Sequence, residues 1–261
     1  MARIPGEDAP PTFNDGAEPT AYLKPIGEPE EIKDPLATFQ EALDTLDPGA
    51  WVMNAINDLF GSNPVEEAMA RLGGDWVAYA KCAEAFRNLG EFFQAVGWNL
   101  KWGNDSLDGW WSGQAADAAW IHFDTLAQHC LAHREVLREI ADQYETAARS
   151  AFHFAQAGGP IAAAIIDAAI VAGIAAAAGT ASSETVVGGI IGYGIAGFEI
   201  YEIGEKVDHL FRLIGLTDAT IQAVGGTLGS IVGTSPDVLA GFSGISLATS
   251  GAGPTLPGGA S

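Results

Sequence analysis

Apolar positions recur every three or four residues along two long stretches of this chain, and the stretches meet at a Trp-Ser-Gly. In the first, Tyr79, Cys82, Phe86, Leu89, Phe93, Val96 and Leu100 alternate steps of three and four. In the second, Ala119, Phe123, Leu126, Cys130, His133, Leu137, Ile140, Tyr144, Ala147, Ala151 and Phe154 do the same. Such spacing keeps one face of a 3.6-residue helix apolar, so it predicts helices over about 75–100 and 113–154. Between them lies Trp110-Trp111-Ser112-Gly113. Glycine lets the chain turn where a side chain would clash, and an indole can plug the end of a two-helix core. The pattern therefore predicts an antiparallel hairpin cornered at Trp111–Gly113, with Phe86, Leu89, Phe93, Phe123 and Leu126 along its seam.

Punctuation residues divide the rest of the chain. Asp34-Pro35 predicts a cap followed by an N1 proline, opening a short helix through Leu36, Phe39, Leu43 and Leu46. Pro48 resets the chain before a second apolar face at Trp51, Ile56, Leu59 and Phe60. Asn63-Pro64-Val65-Glu66 predicts a third start, Gly73-Gly74 an interruption, and Asp75 the cap of the first long helix. Gly158-Gly159-Pro160 predicts the end of the second long helix. Two apolar runs follow, 161–178 and 186–203, joined by a turn-like 179–183. The second run spaces Gly188, Gly192 and Ala196 four apart, which lets another backbone approach closely. An amphipathic piece over 205–224 completes the helical part.

The ends differ in composition. Residues 1–33 hold Pro5, Pro10, Pro11, Pro19, Pro25 and Pro29 among mostly acidic neighbours, which predicts a disordered arm. From Gly225 onward Gly, Ser, Thr and Pro predominate, as in a flexible tail. No strand pattern appears. The fold class expected is all-α, in four successive segments: an arm (1–33), a helical hairpin domain with short leading helices (34–157), a Gly/Ala-rich hairpin with its amphipathic helix (158–224), and a tail (225–261).

Charge narrows the partners. The 261 residues carry 33 acidic against 12 basic side chains, a formal charge of −21. Nucleic acid demands clustered Lys and Arg, and anionic lipid rewards them, so neither is expected. The N-terminal stretch has no apolar run with a basic flank, hence no secretory signal peptide is expected. Chemistry is equally sparse. No nucleophile–base arrangement or phosphate loop is legible, so an enzyme, a cofactor or a metal site is not expected. His129 and His133 stand at i and i+4, a metal-binding spacing, but no third ligand is evident and His133 lies on the apolar seam. Cys82 and Cys130 are centred near the corner, at residue 106, which makes a cross-helix disulfide a candidate against two free thiols. The runs at 160–203 are near the lower length limit of a membrane hairpin. Asp167 interrupts the first and Glu199 and Glu202 shorten the second, so a water-soluble helix pair is favoured over insertion.

Three stretches together resemble a known family. They are Gly74-Asp75-Trp76-Val77-Ala78-Tyr79-Ala80-Lys81-Cys82-Ala83, the run Leu107-Asp108-Gly109-Trp110-Trp111-Ser112-Gly113, and its continuation Gln114-Ala115-Ala116-Asp117-Ala118-Ala119. Placed between amphipathic helices, they are similar to the WXG superfamily of type VII (ESX) secretion substrates. The likeness is to its longer actinobacterial form, which often precedes a toxin, and it covers about residues 50–215. The resemblance implies a secreted or cell-surface, virulence-associated helical hairpin. It would be exported by the type VII machinery and paired with another helical protein or itself, with no catalysis of its own. The family's export signal, Tyr-x-x-x-Asp/Glu after the second helix, fails at Tyr144, where Ala148 follows, and fits at Tyr201–Glu205. Since no toxin-like segment follows, delivery or chaperoning of a toxin in trans is a further alternative, beside a membrane-active effector.

Overall fold

Helix starts follow the caps. The computed structural model describes residues 16–43, 50–181 and 186–234, with side chains throughout except at 50, 59, 174–196 and 234. The Asp34 carboxylate accepts from the backbone N–H of Leu36 (2.9 Å) and Ala37 (3.4 Å), opening α1, Pro35–Leu43. Helix α2 spans Ala50–Phe60. Asn63 Oδ1 accepts from Val65 and Glu66 N–H (3.1 and 3.3 Å) at the head of α3, Pro64–Leu72. The Asp75 carboxylate accepts from Ala78 N–H (2.9 Å) and starts α4, Trp76–Asp108. Each cap satisfies donors that the first helical turn leaves without an intrahelical partner. Helices α5, Gln114–Ala181, and α6, Val186–Thr234, complete the list, so the described residues are helices and connections without a strand.

Two expected breaks are absent. Gly158-Gly159-Pro160 does not end a helix, for α5 runs through it. A Cβ at Gly158 would lie 3.3 Å from Leu210 Cδ1 and 3.4 Å from Phe39 Cε2, and one at Gly159 would lie 3.0 Å from Ala42 Cβ. The glycines admit α1 and α6 at close range, so they serve packing rather than termination. Pro160 and Gln156 are exposed, so the carbonyl that loses its helical partner faces water. The tail expected from Gly225 likewise begins as helix: α6 continues through Gly225, Gly226 and Gly229 to Thr234. Residues 235–261 lie outside the described residues, as do the side chains of Gly188, Gly192 and Ala196.

Two compact units form, and each is discontinuous in sequence. One combines 25–85 with 140–229. Its core holds Phe39, Val52, Ile56, Val65, Leu72, Ala162, Ile165, Ile166, Ile203 and Leu210, each at most 1% exposed. Buried Ile203, Val207, Leu210 and Ile214 repeat by four and three, which puts one stripe of α6 against this core. Phe39 and Phe154 stack with centroids 6.3 Å apart, and Arg71 reaches Asp218 at 2.7 Å.

The other unit takes in residues 16–24, 86–139 and 230–234 among those described. Here α4 and α5 run antiparallel: Gly90 faces Arg134 and Leu137, Gly97 faces Ala127, Cys130 and Leu131, and Asn104 Nδ2 donates to the Trp120 carbonyl at 2.9 Å. The closest line of contact is made by small residues. A Cβ on Gly97 would stand 3.0 Å from Leu131 Cγ and 3.1 Å from the Ala127 carbonyl.

The first residues also depart from expectation. Residues 16–33 are not a free arm. Pro19–Tyr22 forms a 3-10 turn, Ile32 is buried, Glu28 pairs with Lys81 (2.5 Å) and Glu31 with Arg149 (2.8 Å). Their acidic side chains find basic partners on α4 and α5, which composition alone does not reveal. Residues 1–15 lie outside the described residues.

Candidate docking surface

Gly113 sits at φ +106°, in the region that side chains disfavour, between the last turn of α4 and the first of α5. Trp110 and Trp111 N–H both donate to the Leu107 carbonyl (3.0 Å each), closing α4, and the Gly113 carbonyl accepts from Asp117 N–H (3.0 Å), opening α5. Asp117 lies in the first turn of α5, where a carboxylate suits the helix dipole. Ser112 is exposed, and so are Trp110 and Trp111, at 57% and 45%. Trp111 therefore borders the end of the core without plugging it. It lines a small hollow with Asn104, Leu107, Ala116, Trp120 and Phe123. Inside the tip, the polar group that matters is Asn104, only 5% exposed and bonded across to Trp120.

Asn104 was missed by the apolar pattern, yet a signal exists. Ala83, Gly90, Gly97 and Asn104 stand seven apart and all four are buried. A small-residue heptad ending in one polar residue is a recognisable seam. The larger residues predicted for it, Phe86, Leu89, Phe93, Phe123 and Leu126, are half-buried and flank that line. The Phe93 ring lies 5.2 Å from His133. His133 is buried, and its Nδ1 faces the His129 carbonyl at 2.8 Å, so one ring nitrogen is engaged by its own helix. Among the described residues no three His, Cys, Asp or Glu side chains are grouped to hold a metal.

The candidate disulfide is corrected. Cys82 and Cys130 are both free, the first exposed and the second buried. Cys130 stands level with Gly97, fifteen positions further along α4 than Cys82. At about 1.5 Å per residue that is about 22 Å of helix, whereas a bridge needs Cα atoms within about 7 Å. The pair is centred on residue 106, whereas the helices turn at 109–113, and that offset puts the two thiols out of register. Burial raises the Cys130 thiol pKa by desolvating its thiolate. Elsewhere, the Tyr201 hydroxyl donates to Glu205 at 3.2 Å on an exposed face of α6, while Tyr144 packs on Tyr79 with centroids 5.2 Å apart.

Exposed aromatic side chains dominate the unit containing the tip. Trp98, Trp102, Trp110, Trp111 and Trp120 are between 40% and 63% exposed, and Ile121 is 62% exposed. Beside them, Pro19, Val96, Leu100, Gly103, Leu107 and Phe123 line an apolar groove. Exposed apolar surface of this kind is a candidate docking surface. The described residues thus define an all-α protein with a helical-bundle core and an aromatic surface. No family model, curated protein or solved structure matches the chain.

Proposed function

We propose that this chain is a non-enzymatic type VII secretion substrate, or a secretion-associated protein, acting through helix–helix association. The observation that carries the reading is the Gly113 corner. A glycine at positive φ joins two long helices, and directly before it stand Trp110 and Trp111, both turned substantially to solvent. Together with the resemblance to the WXG superfamily, this makes the corner a surface for a helical partner or for the export machinery. Tyr201 and Glu205, exposed and bonded one turn apart, form the proposed export element.

Other features support the same reading. Arg71, Lys81, Arg134, Arg149, Lys206 and Arg212 are each paired with carboxylates, and with a formal charge of −21 this disfavours nucleic acid as a partner. Within Gln114–Gly173, α5 holds a window long and apolar enough to cross a membrane, but half of that window is buried in the protein. Insertion of residues 160–203 would have to expose Ala162, Ile165 and Ile166 from their core, so membrane activity is the lesser reading. Liposome leakage at acidic pH but not at neutral pH would favour it. Co-purification of a toxin would favour delivery in trans.

Trp111→Ala tests the main proposal. The variant should keep its far-ultraviolet helical signal while its share in the culture filtrate of a type VII-competent strain, or its recovery with a helical partner, falls several-fold. Unchanged export and assembly would count against the corner's role.

A further inference from the structure

The apolar groove on α4 encloses a cavity of about 350 Å³. Val96, Leu100, Gly103 and Leu107 of α4 line it on one side, Phe123 of α5 on another and Pro19 on a third. The Pro19 side is fastened two residues earlier. There the Ala17 N–H donates to Asn99 Oδ1 (3.1 Å) and the Ala17 carbonyl accepts from Asn99 Nδ2 (2.7 Å). Concave, mostly apolar sites of about 300–1,000 Å³ are the usual seats of small molecules, and this cavity falls near the lower end.

Two amides, Asn99 and Asn104, are its polar lining. Asn99 commits both ends of its amide to Ala17. Asn104 is 5% exposed and gives an N–H to the Trp120 carbonyl, while no described residue donates to its Oδ1. A buried acceptor gains most from a ligand that brings it a donor. Charge then restricts the ligand. No lining side chain is ionisable, and the charged sequence neighbours are Glu18, Lys101, Asp105 and Asp108 in a chain of formal charge −21. A carboxylate or phosphate headgroup is disfavoured by both the apolar lining and the surrounding acids.

We propose that this cavity binds a small, uncharged apolar molecule carrying one hydroxyl donor, of the short alkylphenol class. Its hydroxyl donates to Asn104 Oδ1, and its hydrocarbon lies against Leu100, Leu107 and Phe123. Binding here requires neither export nor a helical partner, so this proposal and the secretion reading fail separately.

NMR titration of the full-length, methyl-labelled protein with p-butylphenol and with butylbenzene tests the site. In the native chain p-butylphenol should shift the methyl signals of Val96, Leu100 and Leu107 saturably and show intermolecular NOEs to them. Gly103→Leu adds a side chain to the cavity wall and should weaken both ligands at least about tenfold, with the helical signal retained. Asn104→Leu should weaken p-butylphenol at least about threefold and leave butylbenzene no weaker, the loss expected of one neutral hydrogen bond. The native-chain NOEs fix the location even where Gly103→Leu disturbs folding. No saturable shift in the native chain, NOEs only to methyl groups elsewhere, binding untouched by a folded Gly103→Leu, or equal weakening of both ligands by Asn104→Leu would each overturn the proposal.

Discussion

The two compact units are built from the same long helices yet packed by different means. In the unit of 25–85 and 140–229, five helices contribute large side chains to one core, and Phe39, Ile56, Leu72, Ile165, Ile166, Ile203 and Leu210 lose essentially all contact with water. In the unit holding 86–139, α4 and α5 approach over Gly90 and Gly97, and most of the large aromatic side chains point outward. Burial of bulky apolar groups is where folding free energy comes from. Close backbone approach yields dispersion contacts but little buried area. The first unit is thus a stability centre, and the second is a thin scaffold that displays aromatic surface.

Breaking that contrast produces graded effects. Ile165→Ala should cost about 2–5 kcal/mol in equilibrium denaturation, since it empties volume in a fully buried site. Gly97→Val should cost less, about 1–3 kcal/mol, by forcing methyl groups against Leu131 and the Ala127 carbonyl. Hydrogen exchange sharpens this case: amides in 86–139 should lose protection while those of 150–170 keep theirs. Equal loss in both would erase the distinction between the units. Asn63→Ala should cost about 1 kcal/mol, the usual value of a cap with two accepted bonds.

The smallest effect concerns Cys130. Its folded pKa is raised by desolvation, so above the ordinary thiol range the unfolded chain releases this proton before the native one does. Stability should therefore decline slightly as pH rises through that window, and Cys130→Ala should remove the decline. In the native protein iodoacetamide should modify exposed Cys82 well before Cys130.

Sequence made the starts of helices plain and their continuations obscure. Asp34, Asn63 and Asp75 are local devices: a carboxylate or amide beside the first free N–H groups works wherever the helix goes, and all three act as predicted. Gly158-Gly159-Pro160 was misread because glycine serves both to end helices and to let helices touch. Only Phe39, Ala42 and Leu210, far away in sequence, show which use applies. The candidate surface was legible in part. Gly113 announced a corner, but the register set by the 109–113 turn decides which residues of α4 and α5 meet, and misjudging it produced the false Cys82–Cys130 pair. The aromatic period hid the small-residue centre of the α4–α5 contact, because hydrophobicity patterns weight Phe and Leu above the Gly and Ala that let backbones meet.

Export is the most direct test of the proposed function. In a type VII-competent host, the ratio of protein in culture filtrate to protein in cytosol should be high for the native chain. It should fall several-fold for Trp111→Ala at unchanged helicity and intracellular level. A filtrate ratio no higher than that of a cytosolic marker, or one identical for the native and Trp111→Ala proteins, would contradict the account.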